Sequence, residues 1–307
     1  MTLKQQAETF MAQIQTRRRN PVRQATVKAY RSHLDKWILP LLGGEDLAKI
    51  ENGLVKNFIR KLSEAKLSAA SITSIFNVVK QIVASAVDEN GNRLYERTWN
   101  ADFLDLPVIN PASQKSPCVA SDAIQKAVET AKGQDKALYA LLAGSGLRIG
   151  EALALMTGPD DGKNSFWQPE TGVVTIRTTV VNGKIQTSPK TEAGNRQVDL
   201  SEELNVFLTS HIETKIGLLF ASAAGSPMRQ MTAYEHLKKV GIPGFHSFRR
   251  FRITHLDTVG VPPGLQRFWT GHAAGDVHET YIKMGGKIEE RKEWAKRAAL
   301  GFQLEAA

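Results

Sequence analysis

The sequence predicts a mainly α-helical protein with two domains, an N-terminal helical bundle and a helix-rich C-terminal domain that contains a small antiparallel β-sheet. Three observations predict this architecture. The chain has 307 residues, which suits about two domains of ordinary size. Apolar residues recur at helical spacing over most of its length. The clearest strand pattern lies in the second half, around the Asn-Gly pair at 182–183.

The bundle begins with a stretch of helical periodicity that starts at Thr26 and ends near Gly43. Two more amphipathic helices are predicted at 53–66 and 68–87. We expect the first 25 residues to form no more than a tail, too short for an additional domain. The segment 16–31 contains six basic residues and no acidic one, so it is either a solvated helix entry or a phosphate contact.

A linker is predicted in the proline-containing stretch 105–118, which has little periodicity. We therefore place the N-terminal domain at 1–108, the linker at 109–118 and the C-terminal domain at 119–307. The single cysteine, Cys118, excludes an intramolecular disulfide and a multi-thiolate metal site, and it is expected to be a linker thiol without a role.

The C-terminal domain is predicted to begin with two helices, to form a small sheet and to end with further helices. The residue pattern places the first two helices at 121–132 and 135–143, before a third that carries Arg148. Residues 157–172 are expected to be a loop. The strands are predicted at 173–181, 184–187 and 196–200, and the first two form a hairpin because Asn-Gly favours the tight turn that matches strand twist.

Charge indicates a polyanionic partner. The chain has 40 basic and 31 acidic residues, and the basic residues are in excess both before and after Asn110, 16 to 11 and 24 to 20. Such a distribution fits two domains that both contact a polyanion. No stretch is long and apolar enough for a membrane span, and the polar start lacks a signal-peptide core, so a soluble, cytoplasmic protein is expected.

Six residues have the chemistry to act together on one phosphodiester: three cations, two imidazoles and a tyrosine. They are Arg148, Lys190, His246, Arg249, His272 and Tyr281, in the contexts GLRIGEALAL, SPKT, HSFRR and Gly-His followed nine residues later by Tyr. Guanidinium groups bind phosphate oxygens, and a tyrosine can act as a nucleophile. The set therefore predicts strand breakage through a covalent phosphotyrosine.

Each motif also has an ordinary structural interpretation. Arg148 and Glu151 lie on one helix face and could form a simple ion pair. The His246 and Arg249 pair is common in helices, and His255 is expected to be packed inside. His272 and His278 could suggest a metal pair, but no zinc motif surrounds them, and we predict neither a metal nor a cofactor.

In their order and context these motifs resemble the tyrosine recombinase (phage-type integrase) family, over residues 120–285. The resemblance implies that Arg148 and Arg249 hold the scissile phosphate while Tyr281 attacks it. It further implies roles for four other residues. His246 would accept the tyrosine proton, Lys190 would protonate the leaving 5′-oxygen, His272 would hydrogen-bond the phosphate and Glu151 would support Arg148.

Three positions depart from the family pattern or leave a choice open. Arg250 and Thr270 stand where many relatives have histidine and leucine. The distance from Arg148 to Lys190 is longer than in compact relatives, so Lys184 is an alternative catalytic lysine.

The resemblance also implies a SAM-like helical DNA-binding domain and a catalytic domain that together form a C-shaped clamp on double-stranded DNA. The expected function is integration or excision of a mobile element, without metal or ATP, by a nucleoid-associated homotetramer with a directionality factor as a further partner. The terminal helix within 287–307 would dock on a neighbouring subunit or pack within its own chain. Alternatives are a type IB topoisomerase and a catalytically silent DNA-binding protein.

Overall fold

The chain divides into two compact units, Met1–Pro111 and Ala112–Ala307. The structure is a computed structural model, which describes residues 1–19, 21–110, 117–187, 195–212, 216–272 and 284–304. Lys190 and Tyr281, two of the six candidate residues, lie outside these ranges. In the described part of the chain, no helix is long and apolar enough to cross a membrane.

The first unit is built from helices around one apolar core. A π-helical turn, Leu34–Ile38, joins the second helix to the third, and a 3₁₀ turn, Leu47–Lys49, precedes the fourth. The helices are α1 (Leu3–Thr16), α2 (Gln24–His33), α3 (Leu39–Leu42), α4 (Asn52–Glu64) and α5 (Ala69–Ala84).

The prediction that the first 25 residues form a tail is wrong, because α1 is a helix of this unit. Its start is fixed by a capping box, in which Thr2 and Gln5 satisfy each other's backbone amides. The buried side chains of α1, spaced three or four residues apart, include Leu3, Ala7 and Phe10. The remaining face is rich in Gln, Thr and Glu, and these polar residues obscured the helical period.

The second unit surrounds the central helix α7, whose side chains are buried from Ala137 to Ser145. A helix that is apolar on every side belongs in a core, and here helices pack around it. The helices are α6 (Ser121–Thr130), α7 (Gln134–Ser145), α8 (Ile149–Ala152), α9 (Glu202–His211), α10 (Gln230–Lys239), α11 (Phe245–Thr258), α12 (Pro263–Thr270) and α13 (Ile288–Ala298).

The larger sheet of this unit is mixed, which corrects the prediction of a small antiparallel sheet. Its order is β6-β3-β2-β1-β7, with β1 and β2 parallel and the other neighbours antiparallel, while β4 and β5 form a separate antiparallel pair. The strands are β1 (Leu155–Thr157), β2 (Ser165–Gln168), β3 (Val173–Ile176), β4 (Thr178–Val181), β5 (Lys184–Thr187), β6 (Arg196–Asp199) and β7 (Gly217–Leu218).

Two features of the sheet explain this difference. Glycine, proline and aspartate residues on both sides of β2 hid a four-residue strand, whose Trp167 is fully buried. The predicted single strand 173–181 is broken at Arg177, because the Ser165 hydroxyl accepts the amides of Arg177 and Thr178 at 2.8 Å each. The β4–β5 hairpin itself turns at Asn182 and Gly183, both with positive φ, as predicted.

The terminal helix α13 packs on its own chain, which is one of the two arrangements that the sequence allowed. Ala295 and Ala298 are buried, as are Leu300 and Phe302 beyond the end of the helix. His255, expected inside, is half-buried and contacts the Ala298 carbonyl at 2.7 Å.

Candidate active site

Three arginines converge on the carboxyl end of α12. Consecutive carbonyls at this end each accept a hydrogen bond from a different guanidinium. Trp269 O accepts from Arg196 at 2.8 Å, Thr270 O from Arg249 at 2.5 Å and Gly271 O from Arg148 at 3.4 Å. The carboxyl end of a helix is the negative end of its dipole, so it stabilises this concentration of positive charge.

Arg148 is placed by the turn between α7 and α8. Gly146 ends α7 with φ of 71°, a conformation that glycine adopts without strain, and Arg148 then caps α8. Glu151 accepts the Arg148 amide and its Nη1, both at 2.9 Å. The predicted Arg148–Glu151 ion pair is therefore present, and the Arg148 side chain is still 43% exposed, so it is open to a ligand.

Arg196, which none of the sequence motifs indicates, also holds Glu151. Its Nη1 and Nη2 lie 3.2 and 2.9 Å from the two carboxylate oxygens, and its side chain is 1% exposed. Burial alone would raise the pKa of Glu151, but the hydrogen bonds and charge of Arg196, with those of Arg148, bring it below its usual value. Glu151 is thus ionised and shared between two arginines. The one available signal was a basic residue at the start of a strand, which is a weak one.

Arg249 is the buried arginine of the cluster, with 1% of its surface exposed. Three of its five N–H groups are used: Nη1 donates to Gly146 O at 2.9 Å, and Nη2 donates to Thr270 O and to His272 Nε2. Burial, with a smaller contribution from Arg148, lowers its pKa to about 10. Arg249 therefore stays charged at neutral pH and is held in one orientation.

His246 lies in the first turn of α11, exposed at its surface. Partial burial lowers the pKa of His246, and the positive charges of Arg249, Arg250 and Arg148 lower it further. A neutral imidazole at pH 7 is able to accept a proton. His246, the residue expected to act as the base, thus lies one helical turn from Arg249 and is neutral at pH 7.

His272 follows Gly271, which ends α12 in the left-handed conformation. Its Nε2 lies 2.9 Å from Arg249 Nη2 and its Nδ1 lies 3.1 Å from Thr270 Oγ1. Because an arginine only donates, Nε2 must accept, and the proton of the neutral ring lies on Nδ1. Burial and the nearby arginines lower the pKa of His272, which agrees with a neutral ring.

The structure describes only some of the other residues that the sequence singles out. Lys184 is exposed at the start of β5, while Lys190, Tyr281 and His278 lie outside the described residues. Within the part of the chain that is described, no group of three metal-binding side chains occurs. Cys118 is an exposed free thiol.

The helix that carries Arg148 contacts the β4–β5 hairpin directly. A Cβ on Gly150 would lie 2.6 Å from Thr179 Oγ1 and 2.8 Å from Val180 O, so only glycine permits this approach. Gln230, at the start of α10, donates to the same Val180 carbonyl at 3.0 Å. The hairpin is thereby held against α8 and the start of α10.

The site thus combines two guanidinium groups, that of the partly exposed Arg148 and that of the buried Arg249, with two neutral imidazoles. Planar guanidinium donors match the tetrahedral oxygens of a phosphate and remain charged at neutral pH. A neutral imidazole beside them is able to receive a proton from an attacking hydroxyl group. The arrangement can therefore bind a phosphodiester and assist displacement at its phosphorus.

Solved structures with a similar fold are integrases bound to DNA. The Tn1549 transposon integrase in complex with a circular intermediate DNA has a TM-score of 0.68 and 16% identity, over 96% of this chain and 94% of that chain. The lambda integrase dimer bound to a COC′ core site has a TM-score of 0.59 and 17% identity, over 95% and 96% of the chains. A lambda integrase tetramer bound to a Holliday junction has a TM-score of 0.58 and 16% identity, over 89% of this chain and 78% of that one.

No protein-family model matches the chain, and no curated protein does. The chain has the fold of the tyrosine recombinases, which is the family that its motifs resemble. At these low identities the similarity is one of fold.

Proposed function

We propose that this protein is a site-specific DNA recombinase that cuts and rejoins DNA through a covalent 3′-phosphotyrosine, for the integration or excision of a mobile element. The observation that carries the proposal is the gathering of Arg148, His246, Arg249 and His272 around the end of α12. They come from three separate parts of the sequence, with Arg148 about 100 residues before the His246 and Arg249 pair and His272 23 residues after Arg249.

Arg148 and Arg249 bind the non-bridging oxygens of the scissile phosphate. Arg249 is held by three hydrogen bonds and Arg148 is braced by Glu151, so their donors are oriented before DNA binds. Groups that are oriented in advance stabilise the additional negative charge of a pentavalent transition state without reorganisation. This stabilisation requires neither a metal ion nor ATP.

Tyr281 attacks phosphorus, forming a bond between its phenolic oxygen and the 3′-phosphate while the bond to the 5′-oxygen breaks. His246, neutral at pH 7, takes the phenol proton, and Lys190 gives a proton to the leaving 5′-oxygen, with Lys184 as the alternative. A 5′-hydroxyl from another strand reverses the step, so the phosphodiester bond energy is conserved.

The resemblance extends the proposal to the whole chain. Residues 1–108 form the DNA-binding domain and 119–307 the catalytic domain of a clamp on double-stranded DNA in the nucleoid. The lambda integrase tetramer on a Holliday junction supports assembly of this chain as a homotetramer. The resemblance further implies exchange of the terminal helix between subunits, in which case α13 would leave its own chain on assembly. A directionality factor would select between integration and excision.

The test uses a duplex enriched from a randomised library by binding to the full chain. The duplex is rebuilt with a nick close to the cleavage position, so that the short 5′-hydroxyl fragment dissociates after cleavage and the covalent complex is trapped. The wild type is expected to form a covalent complex that survives denaturing electrophoresis, and Tyr281→Phe is expected to form none. A covalent complex with Tyr281→Phe would contradict the assignment of the nucleophile. If the wild type forms none although it binds the duplex, the chain is a silent DNA-binding protein.

The same preparation distinguishes the topoisomerase alternative. A site-specific recombinase leaves a supercoiled plasmid without the enriched sequence intact, because cleavage awaits the recognition site. Efficient relaxation of that plasmid by the wild type, lost in Tyr281→Phe, would assign the protein to type IB topoisomerase chemistry instead.

A further inference from the structure

Arg196 occupies the centre of the hydrogen-bond network behind the arginine cluster. Its Nε donates to Trp269 O at 2.8 Å, and its two terminal nitrogens contact the two oxygens of Glu151. The side chain of Arg196 is 1% exposed and that of Glu151 is 4% exposed. Arg196 thus joins β6, α8 and the end of α12 through one buried guanidinium.

Arg196 determines the balance of charge around Glu151. Glu151 contacts both Arg148 and Arg196, so its single negative charge is shared between two positive ones. With only one arginine beside it, that carboxylate would neutralise Arg148, whose charge a phosphate needs. Charge interactions are strong in a buried site because little water screens them. With Arg196 present, the sum of Arg148, Arg249, Arg196 and Glu151 remains two positive charges.

The other end of β6 is anchored as well. Asp199 accepts from Trp269 Nε1 at 2.8 Å and from Arg291 Nε at 2.8 Å. Trp269 is therefore held twice by β6, through its backbone by Arg196 and through its ring by Asp199. This double contact fixes the α12 end on which Arg148 and Arg249 converge.

We propose that Arg196 is a positioning residue for DNA cleavage. It offsets the charge of Glu151 and so leaves Arg148 available to the scissile phosphate. It also fixes the position of the end of α12 relative to α8. This proposal rests on the recombinase function proposed above. Arg196 acts through Glu151 and Trp269 and does not itself contact the phosphate.

The experiment compares single-turnover cleavage of the enriched, nicked duplex by the full chain and its variants, at saturating protein. Arg196→Met is expected to cleave about 100-fold more slowly, since displacement of a reacting group by about 1 Å has an effect of that size. Arg196→Lys keeps the charge but loses the planar fork, and it should be slowed less. Glu151→Gln combined with Arg196→Met removes both charges and should cleave at least about tenfold faster than Arg196→Met alone, because Arg148 is no longer neutralised.

Arg177→Met is the matched control. It removes another two-pronged arginine–carboxylate pair, with Asp160 at 2.6 and 2.9 Å, from the same unit. Its cleavage rate should stay within about twofold of the wild type, as for a partly exposed pair of small energetic weight. Thermal unfolding of each variant shows whether it is folded.

The outcomes separate the two proposals. If the wild type forms no covalent complex, the recombinase function fails and this inference fails with it. If the wild type cleaves and folded Arg196→Met cleaves equally fast, only the role of Arg196 is overturned. A double variant no faster than Arg196→Met would overturn the charge argument. Should Arg196→Met not fold, an unchanged rate in Arg196→Lys overturns the proposal and a slowed rate supports it.

Discussion

At the scale of single residues, three positive charges that repel one another are gathered at the end of α12. Arg148, Arg196 and Arg249 are kept together by three carbonyls and by Glu151. Partial burial, and then the positive charge of the same arginines, lowers the pKa of both histidines and favours their neutral forms. The same arginines are therefore suited to bind a phosphate and also help to keep the two histidines neutral.

This coupling predicts the pH dependence of cleavage. His246 acts as a base only when neutral, and its pKa lies below 6.5, mainly through partial burial and then through Arg249, Arg250 and Arg148. The cleavage rate should therefore stay high at pH 7 and fall only as the pH drops through a value below 6.5. Arg250→Gln removes one of these charges, so the fall should move to higher pH in single-turnover rates measured across pH.

Lys239→Gln is the control for that shift, because it removes an exposed positive charge from α10 that does not act on His246. It should leave the profile in place. A wild-type rate that already falls above pH 6.5, or a profile that Arg250→Gln does not move, would count against His246 as the proton acceptor.

Short local contexts select Arg148, His246, Arg249 and His272 as candidates, because the chemistry requires particular side chains next to particular turns, and the structure brings these four side chains near the end of α12. Arg196 could not be predicted in this way, since its importance arises from Glu151, 45 residues earlier in the chain, and from a backbone carbonyl of Trp269. The catalytic roles of all six candidate residues, including Lys190 and Tyr281, are predictions from the motifs.

At the scale of elements, the packing of α8 on β4 determines where Arg148 points. A Cβ at Gly150 would come within 2.6 Å of Thr179 Oγ1 and 2.8 Å of a backbone carbonyl, so Gly150→Ala must push the two elements apart. We expect a loss of about 1–3 kcal/mol in the free energy of unfolding, as for other overpacked sites, and slower cleavage. Urea unfolding and the nicked-duplex assay measure the two effects.

Gly53→Ala in α4 is the control, because nothing lies within 4 Å of the added Cβ. It should be neutral or stabilising by at most about 1 kcal/mol. A Gly150→Ala variant that is as stable and as active as the wild type would show that the α8–β4 contact does not position Arg148.

The attachment of α13 depends on a buried ion pair. Arg291 Nε lies 2.8 Å from Asp199 Oδ2, with side chains 0% and 2% exposed, and Arg291 also donates to two backbone carbonyls near the start of α13. Asp199→Asn leaves the guanidinium without a counter-charge. Breaking a buried pair costs about 3–5 kcal/mol, and we expect a loss of that size in urea unfolding.

Glu290→Gln on the same helix is the control, because it removes an exposed ion pair. Glu290 is 46% exposed and its partner Lys287 is 48% exposed. Its effect should not exceed about 1 kcal/mol. Equal losses in the two variants would mean that the Arg291–Asp199 pair does not anchor α13.

Helices were easier to predict than strands for a physical reason. The apolar spacing of α4, α5, α6 and α7 continues for several turns, so their bounds were predicted to within a few residues. The strands of the larger sheet have two to four residues, and two of them, β6 and β7, pair with strands more than 20 residues away along the chain. The pairing of β6 with β3, and the parallel pairing of β1 with β2, depend on contacts that no local pattern contains.

At the scale of the whole molecule, both units belong to a chain with a net charge of +9. Three exposed arginines, Arg17, Arg18 and Arg19, follow α1 in the N-terminal unit. If they bind phosphates, replacing all three with alanine should weaken DNA binding and reduce the slope of log affinity against log salt by about 0.9 for each phosphate that is no longer neutralised. Fluorescence anisotropy with a labelled duplex at several salt concentrations measures the slope.

The control removes three exposed lysines from the other unit, Lys238, Lys239 and Lys296. Their removal lowers the net charge equally but should change the slope less. If both triple variants change it by the same amount, the arginines act through overall charge and not through direct binding of phosphates.

In the proposed reaction, the arginine and histidine cluster directs a tyrosine to a DNA phosphate. The most direct test is mass spectrometry of the covalent complex after protease and nuclease digestion. We expect a nucleotide linked through its 3′-phosphate to Tyr281. A nucleotide on another residue, a link through a 5′-phosphate, or no linked nucleotide from DNA that the protein binds would contradict it.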